Sequence, residues 1–350
     1  MLTLGPPSDF ETRDGAKHQQ PLFLPVYQPR RPGFSLADWD GSPTIRGIIV
    51  NAFFLYKQRS LRKSLAAERG LKNLVGFHRL VATDSGAFQG FHRRLHLSNR
   101  RIIRFQDEIG SDVIAPLDLI TPPGDNRTIA TAKLRTTQKR IEEGLTVVRH
   151  GILAGVQQGG RFIDLRHESV CGLLEMGVQY IAIGSLVPFF TTNHDLTFPA
   201  AVIADARREA GWELPIHVYG AGDPCELPFM IACGATIFDS ASYGHYAEAG
   251  WYMTPYGALR DPGPVVAGEF SCGCSDCAST PITTVFAETP RLLRHNLWTI
   301  CQTVDNVRSL QLAGRLEAYL EEVLAIHHDW FPTSRLVPSW RIARDSPALR

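Results

Sequence analysis

No apolar run in this chain of 350 residues approaches the ~20 that a membrane-spanning helix needs. The start, MLTLGPPSDFETRDGAKH, has acids and Gly-Pro-Pro where a secretory leader needs a basic end and an apolar centre. Both absences read as a cytoplasmic protein. Cysteine is scarce: seven copies, an odd number, with Cys171, Cys225, Cys233 and Cys301 scattered in apolar surroundings rather than at framework spacings. That excludes a disulfide scaffold and suggests buried thiols in a reducing compartment. A charge excess is missing too, since 36 basic and 35 acidic residues leave a net +1. The protein as a whole is therefore no electrostatic magnet for nucleic acid.

What is present is an apolar content of 44%, enough for a full core, and a local concentration of charge. Residues 57–104 hold twelve Lys and Arg against two acids, Glu68 and Asp84. A solvated helix face would account for such a run. Its interleaving with aromatic and histidine residues, in GFHRL and GFHRRLHLSNRRIIRF, suits a polynucleotide instead: cations attract phosphates while planar groups stack on bases.

Sequence repeats are absent, but a pattern recurs: a short apolar run, a polar or glycine-rich turn, then an amphipathic stretch. The runs are PLFLPVY (21–27), RGIIVNA (46–52), LVATD (80–84), DVIAPLD (112–118), GILAGVQ (151–157), YIAIGS (180–185), PIHVYG (215–220) and ATIFD (235–239). NRTIATAKLRTTQKRIEEGL has helical spacing, and in DPCELPFMIACG Asp223 can cap, Pro224 suits the first turn and Gly234 follows the end. Apolar runs without strict alternation suit parallel strands buried on both faces, so the expected fold is α/β, a (β/α)8 TIM barrel over residues 1–262. A doubly wound sheet is the alternative. In a barrel the catalytic face lies at the strand ends, here Asp84, Asp118, Gln157 and Gln158, Ser185, Tyr219 and Gly220, and Asp239. Any one aspartate there reads as a helix N-cap; three converging with a glutamine are harder to explain by capping alone. Two carboxylates can divide nucleophilic and acid/base work at a glycosidic bond, and a third can accept hydrogen bonds from a donor-rich edge such as guanine's.

Seven stretches, TDSGAFQGF, LDLITPP, VQQGGRFIDLRHES, IGSLVP, HVYGAGDP, IFDSASYGHYAEAGWYMTPYG and CGCSDC with LLRHNLW, together resemble the tRNA-guanine transglycosylase family, most nearly its archaeosine-type branch. The resemblance runs in order over roughly residues 20–320. It implies a barrel with a zinc site that exchanges a guanine in a polynucleotide for a free 7-deazaguanine. Carried over by position, it makes Asp239 the nucleophile and Asp84 the general acid/base. Asp118 and Gln158, with Gly159, would read the purine edge. Phe88 and Tyr219, beside Gly220, would sandwich its ring. Gly184, Ser185 and Leu186 would face the 7-substituent. The family commonly has glycine where this chain has Ser185, and no acid in IGSLVPFF could pair with an aminomethyl cation, so the neutral nitrile base preQ0 is expected.

SCGCSDC (271–277) is too tightly spaced for three disulfide partners, and zinc held by Cys272, Cys274, Cys277 and a histidine completes it. His295, in a helix-like run, matches the family's fourth ligand. The intervening ASTPITTVFAETP, shorter than in many relatives, should be a compact loop. A zinc-binding helical subdomain would occupy 263–330 and a basic tail 331–350; Trp330 at their junction, with Trp340, Arg335, Arg341 and Arg344 of the tail, could touch a strand or pack on the barrel.

Archaeosine-type enzymes generally carry a further RNA-binding module beyond the barrel, and relatives that insert 7-deazaguanine into DNA do not. The sequence reading therefore favours DNA as acceptor, with a compact tRNA enzyme as the alternative. A homodimer, and a companion protein that opens duplex DNA, fit the family. A catalytically silent nucleic-acid-binding subunit would be expected to have lost its nucleophile, and a sugar-directed glycosidase would leave Asp118, Gln158 and the basic stretch without a task.

Overall fold

The computed structural model describes residues 9–29, 33–36, 39, 45–87 and 97–345. Each apolar run becomes one short strand: β1 (Leu22–Pro25), β2 (Gly47–Asn51), β3 (Leu80–Asp84), β4 (Val113–Ile114), β5 (Ile152–Leu153 and Gly155–Gln157), β6 (Ile181–Ile183), β7 (Ile216–Val218) and β8 (Ile237–Ser240). They form two parallel sheets, ordered β2-β3-β4-β5 and β5-β6-β7-β8-β1. The two halves of β5, either side of Ala154, pair with β4 and β6 respectively. A parallel bridge from Val26 to Ile49, with the Tyr27 N–H donating to the Ile49 carbonyl at 2.8 Å, links β1 to β2. The fold is thus mixed α/β with parallel sheets in which chain neighbours lie side by side. The order reversal of a doubly wound sheet is not what these pairings show.

Helices return the chain between strands, as parallel pairing demands. NRTIATAKLRTTQKRIEEGL forms the helix Arg127–Leu145, whose N-cap Asn126 accepts a hydrogen bond from the Ile129 N–H at 3.0 Å. In DPCELPFMIACG the helix starts later than expected, at Leu227. Asp223 instead caps a preceding turn, accepting from the Cys225 N–H at 3.1 Å.

Alternation along the strands separates two buried faces. Phe23, Ile48, Val50, Val81 and Phe238 face outward into the core shared with the helices. Leu22, Leu24, Ile49, Leu80, Ala82, Val156 and Ile237 face inward and pack on one another. Each of the leucine, isoleucine, valine and phenylalanine side chains contributes about 1.5–3 kcal/mol by leaving water. Because a strand repeats every two residues, the inward series 80-82, 154-156, 180-182 and 237 continue to Asp84, Gln158, Gly184 and Asp239. The hydrophobic pattern that builds the core therefore also aims the polar residues at one place. At the opposite end, Phe10 of the hairpin Asp9–Glu11/Lys17–Gln19 is buried against the Tyr180 ring, centroids 5.4 Å apart.

After the hairpin Tyr252–Thr254/Gly257–Leu259, the chain is helical. The longest helix, Thr289–Leu312, packs on β1 and on the helix Ser242–Glu248 that follows β8. The stretch expected as a compact loop contains the helix Ile282–Ala287, because Val285 and Phe286 join Tyr252 in an apolar cluster. The stretch expected as a basic tail forms the helix Leu336–Asp345, with Trp340 buried against Phe229, ring centroids 5.1 Å apart. Trp340 is accordingly unavailable for stacking on a strand. Among the described residues, no helix is long and apolar enough to cross a membrane.

Candidate active site and metal centre

Asp84 ends β3, half-buried, with Oδ2 accepting from Asn51 Nδ2 at 2.7 Å and Oδ1 from the Gly86 N–H at 3.2 Å. Asn51 ends the adjacent strand and caps the helix Ala52–Lys57 through its Oδ1, so one side chain fixes both the helix start and the carboxylate. Burial, reinforced by the Asp118 and Asp239 charges and opposed by the Gly86 and Asn51 contacts, pushes the Asp84 carboxyl up to about 7. Asp118 is pushed up to about 6, again mainly by burial. Asp239, in β8, accepts from the Gly220 N–H at 3.3 Å and lies 2.9 Å from His217 Nε2. Gly220 sits at φ 76°, and a Cβ there would come within 2.4 Å of Val187 Cγ2, so the turn that donates to Asp239 requires glycine. Tyr219 stands among the three acids: burial pushes its phenol well above the ordinary range, with Tyr180, Asp118, Asp239 and Asp84 adding to the shift.

Asp118, Gln158, Ser185 and Thr121 form a connected network. Gln158, fully buried, donates from Nε2 to Asp118 Oδ2 at 2.6 Å and accepts at Oε1 from the Ser185 hydroxyl at 2.9 Å. The same hydroxyl accepts from the Thr121 N–H at 2.9 Å. Ser185 holds φ 57°, the left-handed region where glycine is at ease, and these two bonds offset that strain. Gly184 packs against Gln158, since a Cβ there would meet Nε2 at 2.7 Å. Leu186 is buried at the start of the short 3-10 turn Val187–Phe189. Gly159, at φ 149°, lies against the backbone of Arg166.

Sequence reasoning missed Arg166. Its fully buried guanidinium donates to the carbonyls of Gly160, Gly184 and Ser185 at 3.0, 2.7 and 3.4 Å, tying the loops after β5 and β6 together. Burial holds that guanidinium down to about 9. In FIDLRHES an arginine on a helix reads as a surface residue, and only the inward phase of Leu165 and Ser169 hints otherwise. Phe88 and the basic pair Arg93 and Arg94 lie outside the described residues. Of the remaining basic stretch, Arg62 and Arg101 both sit over the Tyr56 ring, at 5.2 and 5.5 Å from its centroid.

Cys272, Cys274, Cys277 and His295 come together as expected. The three sulfurs lie 3.4, 3.6 and 3.5 Å from one atom, His295 Nδ1. A tetrahedron with metal–sulfur and metal–nitrogen bonds of about 2.3 and 2.0–2.1 Å has such edges, near 3.6 Å. The opposite nitrogen, Nε2, lies 2.8 Å from the Met253 carbonyl, which fixes the proton there and leaves Nδ1 free to bind. Tyr252 stacks on the imidazole at 3.6 Å, and its hydroxyl is 3.3 Å from Cys277 Sγ. The four residues form a group able to hold a metal ion.

A family model described as queuine tRNA-ribosyltransferase matches residues 8–329. The chain belongs to this family. It is 32% identical to a tRNA-guanine(15) transglycosylase of Methanopyrus kandleri over 90% of this chain and 68% of the relative. It is 30% identical to the enzyme of that name from Methanocaldococcus jannaschii over 95% of this chain and 51% of the relative. For the one from Pyrococcus furiosus the figures are 31%, 90% and 54%. Against the last two, the chain spans about half the relative's length.

In this member of the queuine tRNA-ribosyltransferase family the raised Asp84 carboxyl has a measurable consequence for stability. A carboxyl whose folded pKa lies above its ordinary value stabilises the fold most when protonated, so that contribution is lost as pH rises through about 7. The stability of Asp84→Asn relative to wild type is therefore expected to be higher at pH 8 than at pH 5, by about 1–2 kcal/mol after discounting for partial exposure. Denaturant unfolding at the two pH values checks this; equal stability changes at pH 5 and 8 would refute the linkage.

Proposed function

We propose that this chain exchanges a guanine in tRNA for a free 7-deazaguanine, on a (β/α)8 barrel and through a covalent ester between Asp239 and the ribose. The observation that carries the reading is the convergence of Asp84, Asp118, Gln158, Tyr219 and Asp239 at the same ends of neighbouring parallel strands. A carboxylate oxygen of Asp239 bonds to C1′ as the bond from C1′ to guanine breaks, and the electron pair leaves with the base. Asp84, protonated below about pH 7, gives its proton to the departing guanine and then takes one from the incoming base. Asp118 accepts from the amide and amine edge of the purine, and Gln158 supplies a donor.

The relatives named as tRNA-guanine(15) transglycosylases favour tRNA over the DNA acceptor that the sequence reading preferred. The incoming base is preQ0. The carbonyls of Gly184 and Ser185 are engaged by Arg166, and that of Leu186 accepts from the Phe189 N–H at 2.8 Å, so the loop offers little to an ammonium group and suits a neutral nitrile. Zinc in the Cys3His group plays a structural part, because four protein ligands leave no open position for substrate.

Incubation of the purified chain with labelled preQ0 and either tRNA or duplex DNA tests the acceptor. Label is expected in tRNA. Label entering DNA alone would overturn the tRNA reading, and label in neither would overturn the exchange activity of this chain.

A further inference from the structure

Behind Asp239 lies a second pair of side chains that neither the carboxylate chemistry nor the purine pocket uses. His217 occupies the inward face of β7, two residues before Tyr219, and is 1% exposed. Its Nδ1 is 2.9 Å from the hydroxyl of Tyr180, which is fully buried, and its Nε2 is 2.9 Å from Asp239 Oδ1. The Nε2 approach is close but poorly aligned: as a buried donor it has no hydrogen bond of proper geometry. A buried donor left in that condition beside a nucleophile calls for an explanation other than packing, since an apolar side chain would fill the same space without stranding a polar atom.

The order of hydrogens follows from the donors. A phenol carries one hydrogen, and burial with the Asp239 charge pushes the Tyr180 phenol well above its ordinary range, so it stays a donor. It donates to His217 Nδ1. The imidazole proton is then on Nε2, facing Asp239 Oδ1. The Gly220 N–H reaches that same oxygen from the other side at 3.3 Å. Two donors therefore converge on Oδ1.

We infer that His217 is a positioning residue for Asp239: through the series Tyr180, His217, Asp239 it holds Oδ1 and leaves Oδ2 to attack C1′. The inference rests on Asp239 being the nucleophile. In the first half-reaction the bond from Oδ2 to C1′ forms and that from C1′ to guanine breaks, and Oδ1 becomes the ester carbonyl, still facing the His217 and Gly220 donors. In the second, the C1′–Oδ2 bond breaks, its electron pair returns to the carboxylate, and the same donors receive the charge as the incoming base bonds to C1′. The misaligned Nε2 contact of the unliganded chain tightens when the carboxylate rotates to attack, as apo geometries of catalytic hydrogen bonds commonly do. His217 thus serves both steps, whereas Asp84 handles only the base.

The test compares His217→Phe, His217→Gln and Tyr180→Phe with wild type and with Asp239→Asn in the full chain. His217→Phe is expected to lower kcat about 100-fold with little change in KM for the free base. His217→Gln, whose amide nitrogen reaches near the position of Nε2, is expected to recover part of that loss although it packs less well. Tyr180→Phe removes one oxygen and leaves the imidazole in place, with no phenol holding its Nδ1. The groups that meet this imidazole are Asp239, Tyr180 and Tyr219, whose ring lies edge-on at 4.7 Å. The Nε2 proton is then no longer fixed toward Asp239, so Tyr180→Phe should lower kcat about 10-fold with little change in KM for the free base. Wild-type kcat in His217→Phe or in Tyr180→Phe would overturn the inference while leaving Asp239 as nucleophile. Full activity in Asp239→Asn would instead overturn the catalytic reading itself. Should His217→Phe not fold, the rates of the Gln variant and of Tyr180→Phe still decide.

Discussion

Asp239→Asn should abolish exchange, lowering kcat by roughly 10⁴–10⁶-fold, and should yield no covalent adduct with the polynucleotide. The size of the effect follows from the step that is removed. An amide oxygen is a poor nucleophile at C1′, and no neighbouring group is placed to substitute: Asp84 is tied to Asn51 and Gly86, and Asp118 to Gln158. The fold should tolerate the change. Asn retains an oxygen to accept from the Gly220 N–H, and the removed charge is one that raises the Asp84 carboxyl. Denaturing gels of protein incubated with tRNA, before and after adding free base, check the prediction. An adduct that persists in Asp239→Asn would assign the nucleophile elsewhere.

The contrast between Asp84 and Asp239 is one of surroundings. Asp84 is pushed up to about 7 by burial against two other acids, which suits a group that must hold and release a proton near neutrality. Asp239 faces donors, the Gly220 N–H and the His217 ring, which suits a group that must carry charge and return to it. Two aspartates, on β3 and β8 of one fold, thereby sit in surroundings suited to different roles.

Strand number, strand ends and the three carboxylates were legible in the sequence because each rests on local information. Period-two burial sets which residues face inward, and a polar residue continuing that period past an apolar run is visible without tertiary structure, as Asp84 and Asp239 are. Arg166 and His217 were illegible for the converse reason. Their partners are loop carbonyls and a phenol beside another strand, and the local pattern, although its phase points both inward, does not say what a guanidinium or imidazole meets there. The helix Leu336–Asp345 was missed because its composition is basic while its buried face, Leu336, Ser339, Trp340 and Ala343, is set by contact with distant helices such as Thr197–Ala210. Helix Ile282–Ala287 escaped likewise: PITTVF carries β-branched residues that disfavour helix, and docking of Val285 and Phe286 overrides them.

Stripping metal from the Cys3His group, or replacing Cys274 with Ser, should cost more stability than any single core substitution. Structural zinc contributes on the order of 10 kcal/mol in small domains, and even half of that would shift the melting temperature of a chain this size by roughly 7 °C. Without the ion, three thiols are left packed within 3.6 Å of one imidazole nitrogen, with Cys274 and His295 buried. The damage should travel along a defined route. His295 lies in Thr289–Leu312, and the next turns of that helix bury Leu297, Ile300, Val304 and Val307 under β1 and the helix that follows β8. β1 pairs directly with β8 at Asp239 and Leu24. Loosening the helix removes support from the strand that carries Asp239, so activity should fall with the metal. Chelation followed by calorimetry, elemental analysis and a rate assay checks this, and re-added zinc should restore all three together. A metal-free chain that keeps its melting temperature and its rate would show that the cluster neither clamps the fold nor supports the site.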